Sequence, residues 1–295
     1  MGSLASIDGE IVPLAEAKVS VLDTGFTFGD SVYETLRTYR GAAFAVDRHL
    51  VRLRASAARL GIGIPLADPT LRQRLDELLT KAANPESYIR WITSRGVGDL
   101  SYRFDQVRGP TVVMVVKPLD PLPESHHRDG VPVSIVGIRR NPPRALDPAI
   151  KSCNLLNNVL ATREAQARGA SEAILLNAED QIAEGAGSNV FLARGGELLT
   201  PPLEAGILSG ITRALVIELA RGRGHTVREV PLDPDDLIQA DEAFLTSTLK
   251  ELLPIASVDG QPVGNGRPGP LTRELLEAYR TFALEACGAG SRPSE

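Results

Sequence analysis

Apolar residues recur along the chain with two periods, and each period predicts a different element. "AKVSVLD" sets Val19 and Val21 against polar neighbours, the alternation of a half-buried strand. "ETLRTYRGAAFAV" reads as two strands joined at Gly41. From about Asp47 the period lengthens. Leu50, Leu53, Ala57 and Leu60 then form one stripe, which predicts a helix. "DPTLRQRLDELLTKAA" predicts another, with Pro69 in its first turn, where a missing N–H costs little. "SYIRWITSR" and "TVVMVVK" read as strands, the second fully buried.

The pattern then breaks. Residues 118–130, "PLDPLPESHHRDG", hold three prolines, two histidines and no period, and read as a linker. Beyond it strands and helices alternate. "VPVSIVGI" is followed by a helix whose apolar face is Leu155, Leu156, Val159 and Leu160, with Asn154 as N-cap and Gly169 as stop. "EAILLN", "SNVFLA", "ELLTP", a helix from Ile211, "VREVPL", "EAFLTST", "PIASVDG" and a last helix from about Leu271 complete the series. The expected class is mixed α/β (α+β) in two domains. A small N-terminal domain spans 1–117, the linker 118–130, a larger domain 131–287, and a frayed tail 288–295.

Composition narrows this picture. With 43% hydrophobic and 23% charged residues, the 295-residue chain can bury an ordinary core. A net charge of −5 leaves no basic surplus for nucleic acid. The Arg-rich "RHLVRLRASAARL" has helical spacing and reads as a solvated helix face. No apolar run approaches the ~18 residues of a membrane span. Cys153 and Cys287 show neither zinc spacing nor a disulfide framework, and Cys153 reads as a small buried hydrophobe. His126 and His127 read as solvated, no metal is expected, and the expected compartment is the cytoplasm.

Four places carry candidate chemistry. Lys151, in "LDPAIKSCNLLNN", is a cation just ahead of a helix N-terminus, the end that prefers anions. That position lowers a lysine's pKa, and a neutral lysine can form a Schiff base. Taken alone, the stretch reads better as a solvated surface lysine. In "SGITRALVIELA", Gly210 precedes a helix with Ile211, Leu215 and Leu219 every four positions. The N–H groups of Ile211 and Thr212 make either a phosphate cradle or an ordinary helix start. Glu184, in "AEGAGSNVF", falls in a Gly-Ala-Gly turn between strands, where it can hold a protonated ring nitrogen or face water. Ser247 and Thr248, in "FLTSTLKELLP", suit anionic oxygens or plain turn chemistry, and Lys250 after them reads as a surface residue. Together these supply an aldehyde partner, a pyridinium partner and two phosphate-binding turns, the set that pyridoxal phosphate needs.

The motifs "IKSCNLLNNVLA", "AEGAGSNVF", "SGITR", "QADEAFLTST" and "SVDGQPVGNG" occur in the order found in the fold-type IV pyridoxal-phosphate enzymes. The chain resembles that family from about Val21 to Ala283. Its members are branched-chain aminotransferases, D-amino acid aminotransferases, (R)-amine transaminases and aminodeoxychorismate lyases. The resemblance implies a large domain with a mixed, barrel-like sheet. Lys151 matches the Schiff-base lysine that also shuttles the proton, and Glu184 the partner of the pyridine nitrogen. Arg52 matches an arginine that binds the phosphate; Ile211 and Thr212, after Gly210, match its backbone donors, and Thr248, beside Ser247, a further contact. Leu208 matches the residue beneath the ring. Tyr33 matches an aromatic wall of the substrate pocket. The resemblance also implies a homodimer in which residues near Phe28, or the loop 97–103, reach the partner's pocket.

Tyr88 and Arg90, in "YIR", resemble the pocket residues of branched-chain aminotransferases. The backbone of Thr248 and Leu249 would then take the substrate carboxylate. D-amino acid enzymes carry an arginine and a histidine two apart after "RG", where "RGVGDLSYR" has Leu100 and Tyr102; Arg103 is the alternative trap residue. Branched-chain enzymes commonly have a tyrosine where this chain has Leu156, as the D-amino acid and lyase branches do. The expected activity is transfer of an amino group from an aliphatic L-amino acid to a 2-oxo acid such as 2-oxoglutarate. D-amino acid or (R)-amine transamination, then an aminodeoxychorismate-type lyase, are the alternatives. A non-enzymatic binding module remains as the contrasting class.

Overall fold

A computed structural model describes residues 2–288; the expected tail beyond Gly288 lies outside the described residues. Two compact units are present. Unit 1 holds the chain up to Asp120, then Ile150–Asn154, then the last helix from Ala283; unit 2 holds Pro121–Ala149 and Leu155–Phe282.

Unit 1 is an antiparallel sheet covered by helices. Its strands are β1 (Leu4–Ile7), β2 (Glu10–Pro13), β3 (Ser31–Tyr39), β4 (Ala42–Ala43), β5 (Ser87–Ser94) and β6 (Thr111–Pro118), ordered β2-β1-β6-β5-β3-β4. Helix α1 (Thr24–Phe28) is short; α2 (Val46–Arg59) and α3 (Asp68–Ala82) are the two predicted from spacing. Leu50, Leu53, Leu71, Leu75 and Leu78 pack with Val32, Leu36, Ile89, Trp91 and Met114. The β3–β4 hairpin turns through Arg40 and Gly41, both at positive φ (53° and 77°), as a tight hairpin turn requires.

Two expectations fail here. "AKVSVLD" forms no strand: it is bridged at Asp23, to Val97, but not along the valines, and Val19 and Val21 are exposed, Val21 by 71%. Alternation without a pairing partner does not make a strand. Nor is "TVVMVVK" fully buried. In β6, Val112, Met114 and Val116 face the core while Val113 and Val115 are half-buried, because the sheet is covered on only one face by this unit's helices.

The outer edge of β3 takes up the segment carrying Lys151. The Tyr33 N–H donates to the Lys151 carbonyl and the Cys153 N–H to the Ser31 carbonyl, each at 2.9 Å. The second domain was expected to begin at 131, yet these five residues belong to unit 1, because this strand-like pairing anchors them.

Unit 2 is built on nine strands: β7 (Val131–Ile135), β8 (Glu172–Leu176), β9 (Ile182–Gly185), β10 (Asn189–Arg194), β11 (Glu197–Thr200), β12 (Val227–Glu229), β13 (Glu242–Ser247), β14 (Glu251–Val258) and β15 (Gln261–Pro262). The order is β12-β11-β10-β13-β14-β7-β8-β9, with β15 paired to β14. β7 is parallel to both β8 and β14, and β11 to β12; the other pairs are antiparallel. A bridge from Gly185 to Ser188 ties β9, at one end of this order, to the start of β10, so the sheet curls into a partial barrel. Val133, Ile174, Ile182, Leu192, Leu245 and Ile255 fill it.

Its helices are α4 (Glu124–Asp129), α5 (Leu156–Ala167), α6 (Ile211–Gly222), α7 (Pro234–Ile238) and the part of α8 (Pro270–Gly288) up to Phe282. α4 lies inside the expected linker and carries both linker histidines. α5 also departs from expectation. Leu155 takes the N-cap position, and the Asn154 amide instead donates to the Gly29 carbonyl at 2.9 Å. Leu156, Val159 and Leu160 are exposed, while Ala161 and Ala165 are buried with Val136, Ala173 and Leu175. Small residues let the helix lie close on the sheet, and the bulky ones are left on its far side.

Candidate active site

In unit 1, three candidates converge. Lys151 is held by its backbone at the β3 edge, and its N–H donates to the Ser56 hydroxyl at 3.2 Å. Helix α5 begins only at Leu156, so the sheet edge rather than a helix end sets the lysine's place. Its ammonium lies 4.4 Å from the centre of the Tyr33 ring, and the Arg90 guanidinium covers the same ring at 3.5 Å. Arg90 also donates to the Thr35 hydroxyl at 3.3 Å. Strand alternation explains the grouping: Tyr33 and Thr35 of β3 and Tyr88 and Arg90 of β5 share the sheet face opposite the helices. Trp91, next to Arg90 in sequence, points into the core. Burial raises the Tyr33 hydroxyl's pKa, against the opposing effect of Arg90. Burial likewise pushes the Cys153 thiol up, which suits its reading as a half-buried hydrophobe.

Arg52 engages a buried carboxylate with two of its nitrogens. Its Nε and Nη2 donate to the two oxygens of Glu34, each at 2.7 Å. Glu34 faces the core from β3 and also meets His49 Nδ1 at 2.7 Å. Burial acts to raise Glu34, but the Arg52 hydrogen bonds and charge, with His49 assisting, bring it down to about 2. Burial lowers His49, so the ring is neutral and Nδ1 donates. Its Nε2 has no hydrogen-bond partner among the described residues. Phe28 ends α1 and packs against Tyr102 of the 97–103 loop at 5.1 Å. Arg103 in that loop is exposed and paired with Asp105 at 2.8 Å.

In unit 2, Glu184 lies in β9 itself, paired with Leu175, and the turn comes after it; the expected turn position is corrected by this pairing. Its carboxylate is buried among donors. Arg140 Nε lies 2.8 Å away, the Leu208 N–H 3.0 Å and the Asn189 amide 3.2 Å. Asn189 also donates to the Leu208 carbonyl at 3.0 Å, which fixes the loop ahead of α6. Arg140 is braced in turn by Asn157 and Asn158 at the start of α5.

Gly210 is the N-cap of α6 and brings no side chain to the first-turn N–H groups; Ile211 and Thr212 follow, both buried. A methyl group on Gly210 would collide with Asn189 Oδ1. Ser247 ends β13, and Thr248 and Leu249, half-buried, form the loop to β14. These residues fit the pyridoxal 5′-phosphate that the resemblance implies. An uncapped start of a twelve-residue helix offers amides to a phosphate. A carboxylate whose neighbours are all donors is placed to accept a further proton-bearing nitrogen.

Glu34, His49, Arg140, Asn189 and Glu172 were not among the candidates. Glu34 had a signal: alternation puts it on the core face of β3, and a buried acid demands a partner. Arg140, in a loop of "RRNPPR", had none.

A family model described as amino-transferase class IV matches residues 31–258. The chain is 39% identical over 274 residues to a putative branched-chain-amino-acid aminotransferase of Methanocaldococcus jannaschii, covering 93% of this chain and 94% of that protein. It is 35% identical over 277 residues to a D-alanine aminotransferase of Bacillus licheniformis, covering 94% and 96%. A crystal structure of the branched-chain amino acid aminotransferase from Thermobaculum terrenum, in its PLP-bound holo form, matches with a TM-score of 0.85 at 30% identity, over 96% of this chain and 94% of that one.

Proposed function

From the premise that the chain belongs to the class IV amino-transferases, we propose that it moves an amino group from an aliphatic, branched-chain L-amino acid to a 2-oxo acid such as 2-oxoglutarate. Pyridoxal 5′-phosphate, when bound, supplies an aldehyde for the amino group and a ring that draws electrons from the reacting carbon. Lys151 would hold the cofactor through Nζ and would carry the proton that leaves the substrate. Glu184 keeps a proton on the ring nitrogen. The N–H groups of Ile211 and Thr212, freed by Gly210, bind phosphate oxygens, with Arg52, Ser247 and Thr248 as further donors. Leu208 would pack against the cofactor. The N–H groups of Thr248 and Leu249 would take the substrate carboxylate, and Tyr33 and Tyr88, with residues near Phe28 or in the loop 97–103 of a partner subunit, would bound its side chain.

The observation that carries this reading is the Arg90–Tyr33 pair on the face of β3 and β5 that Lys151 reaches. An arginine laid over an aromatic ring offers apolar surface to an aliphatic side chain and a cation to the distal carboxylate of glutamate. One pocket then serves both half-reactions. A second reading, D-amino acid transamination, is favoured by Leu156, which is exposed on α5 where branched-chain enzymes commonly present a tyrosine. Initial rates with L-leucine, D-alanine and (R)-1-phenylethylamine, each with 2-oxoglutarate or pyruvate, separate the readings. L-leucine is expected to be fastest; a faster rate with D-alanine would reverse the assignment.

The reading extends to a homodimer acting in the cytoplasm. Support comes from the family resemblance for the dimer, and from the spacing of Cys153 and Cys287, which shows no disulfide framework, for a reducing compartment. Among the described residues no helix is long and apolar enough to cross a membrane.

A further inference from the structure

One charged pair has no part in the roles above, yet it touches the loops that carry them. Glu172 opens β8 and is buried. Its Oε1 accepts the Gly187 N–H at 2.9 Å and the Ser188 hydroxyl at 3.1 Å, while its Oε2 meets the Lys250 ammonium. Gly187 and Ser188 form the turn between β9, which carries Glu184, and β10, which opens on Asn189. Lys250 closes the loop Thr248–Leu249–Lys250 between β13 and β14, whose flanking residues Ser247 and Glu251 pair. Its own backbone is pinned on both sides. The Lys250 N–H donates to the Ser247 hydroxyl at 3.2 Å, and its carbonyl accepts from His127 Nε2 at 3.0 Å. Glu251 follows at a φ of +57°, and its buried carboxylate is held by Arg280 at 2.6 Å.

We propose that Lys250 is a positioning residue for transamination: through Glu172 it locks the β9–β10 turn to the β13–β14 loop, so that Glu184 and the N–H groups of Thr248 and Leu249 keep one relative placement. The expected surface lysine is thus a structural cation. The inference rests on the reading that those groups serve cofactor and substrate. The physical case is one of compensation. A buried carboxylate left with only neutral donors carries its desolvation cost uncompensated, and the ammonium supplies the missing countercharge. Burial also draws Lys250 itself down to about 8. Without the lysine, Glu172 is relieved either by taking a proton or by drawing its turn toward water. Both loosen Gly187 and Ser188.

The test uses Lys250→Met, Lys250→Arg, Glu172→Gln and the double variant. Amide hydrogen exchange over 185–189 is measured without cofactor, and pyridoxal 5′-phosphate affinity is measured separately on the same proteins. In Lys250→Met, exchange at Gly187 and Ser188 is expected to rise about tenfold or more and the cofactor to bind about tenfold more weakly, the scale of one charge-assisted hydrogen bond. Lys250→Arg is expected to restore both. In the Glu172→Gln background, adding Lys250→Met should change exchange by less than about threefold, since the partner is already gone. That last comparison stands even where Lys250→Met alone gives no folded protein. Wild-type exchange in Lys250→Met, no rescue by Lys250→Arg, or equal effects of the lysine change in both backgrounds would each overturn the lock. A wild type that failed to take up the cofactor would overturn the functional reading instead, and the exchange results would still decide the lock.

Discussion

At the scale of single residues, the proposed chemistry rests on two side chains: Lys151, whose amine can form a Schiff base, and Glu184, whose carboxylate can hold a pyridinium proton. Lys151→Ala is expected to abolish the absorbance of lysine-bound cofactor and slow turnover by on the order of a thousandfold or more. Colour that survived in that variant and vanished only on also changing Lys250 would move the role to Lys250. Arg140 and Asn189 were invisible, since an arginine in a proline-rich loop looks solvated until the fold sets it 2.8 Å from Glu184. Glu34 yields a pH prediction. Its folded pKa of about 2 lies below the ordinary 4.5, so the stabilisation from Arg52 is present above about pH 4.5 and is lost as pH falls toward 2. Neutral, buried His49 acts in the same direction, resisting the proton that acid would impose. The pair is worth roughly 3 kcal/mol at neutral pH. Thermal unfolding of wild type and Glu34→Gln should show a Tm gap that closes on acidification; a gap constant from pH 7 to about pH 3 would remove the ion pair from the account.

At the scale of elements, period was a good guide wherever an element packs on one face. α2, α3, α6 and β5 lie where their spacing put them, because each has a core on one side. It misled in "AKVSVLD", which alternates but is bridged only at its end, by Asp23 to Val97, and in α5, where alanines rather than leucines meet the sheet. The start of α6 offers a direct test of the phosphate cradle. Gly210 has a φ of −70°, which alanine adopts freely, so Gly210→Ala strains no backbone. Its methyl group would instead displace Asn189, which links Glu184 to the Leu208 loop. Cofactor affinity is expected to fall by about tenfold or more, the cost of one overpacked contact. Gly222, in the same helix, has open space around it, and Gly222→Ala should leave affinity alone and add about 0.5–1 kcal/mol of stability. Equal cofactor affinity in the two variants would argue against a cradle at Gly210.

At the scale of the whole molecule, no linear boundary could have revealed that unit 1 is assembled from separate pieces of sequence. The chain leaves unit 2 after Ala149, lays Ile150–Asn154 along β3, and rejoins unit 2 at Leu155. This matters to a polypeptide made from its N-terminus. The first 120 residues leave the ribosome with β3 open along Ser31–Tyr33, and an uncovered strand edge invites pairing with other chains. A fragment of residues 2–120 is therefore expected to self-associate, and a synthetic peptide spanning 148–156 to suppress this; light scattering with and without the peptide would show it, and a fragment that stayed monomeric alone would refute it. The strip that shields the growing chain from its neighbours is also the one that bears Lys151, so the end of its vulnerability and the arrival of its reactive amine are a single event.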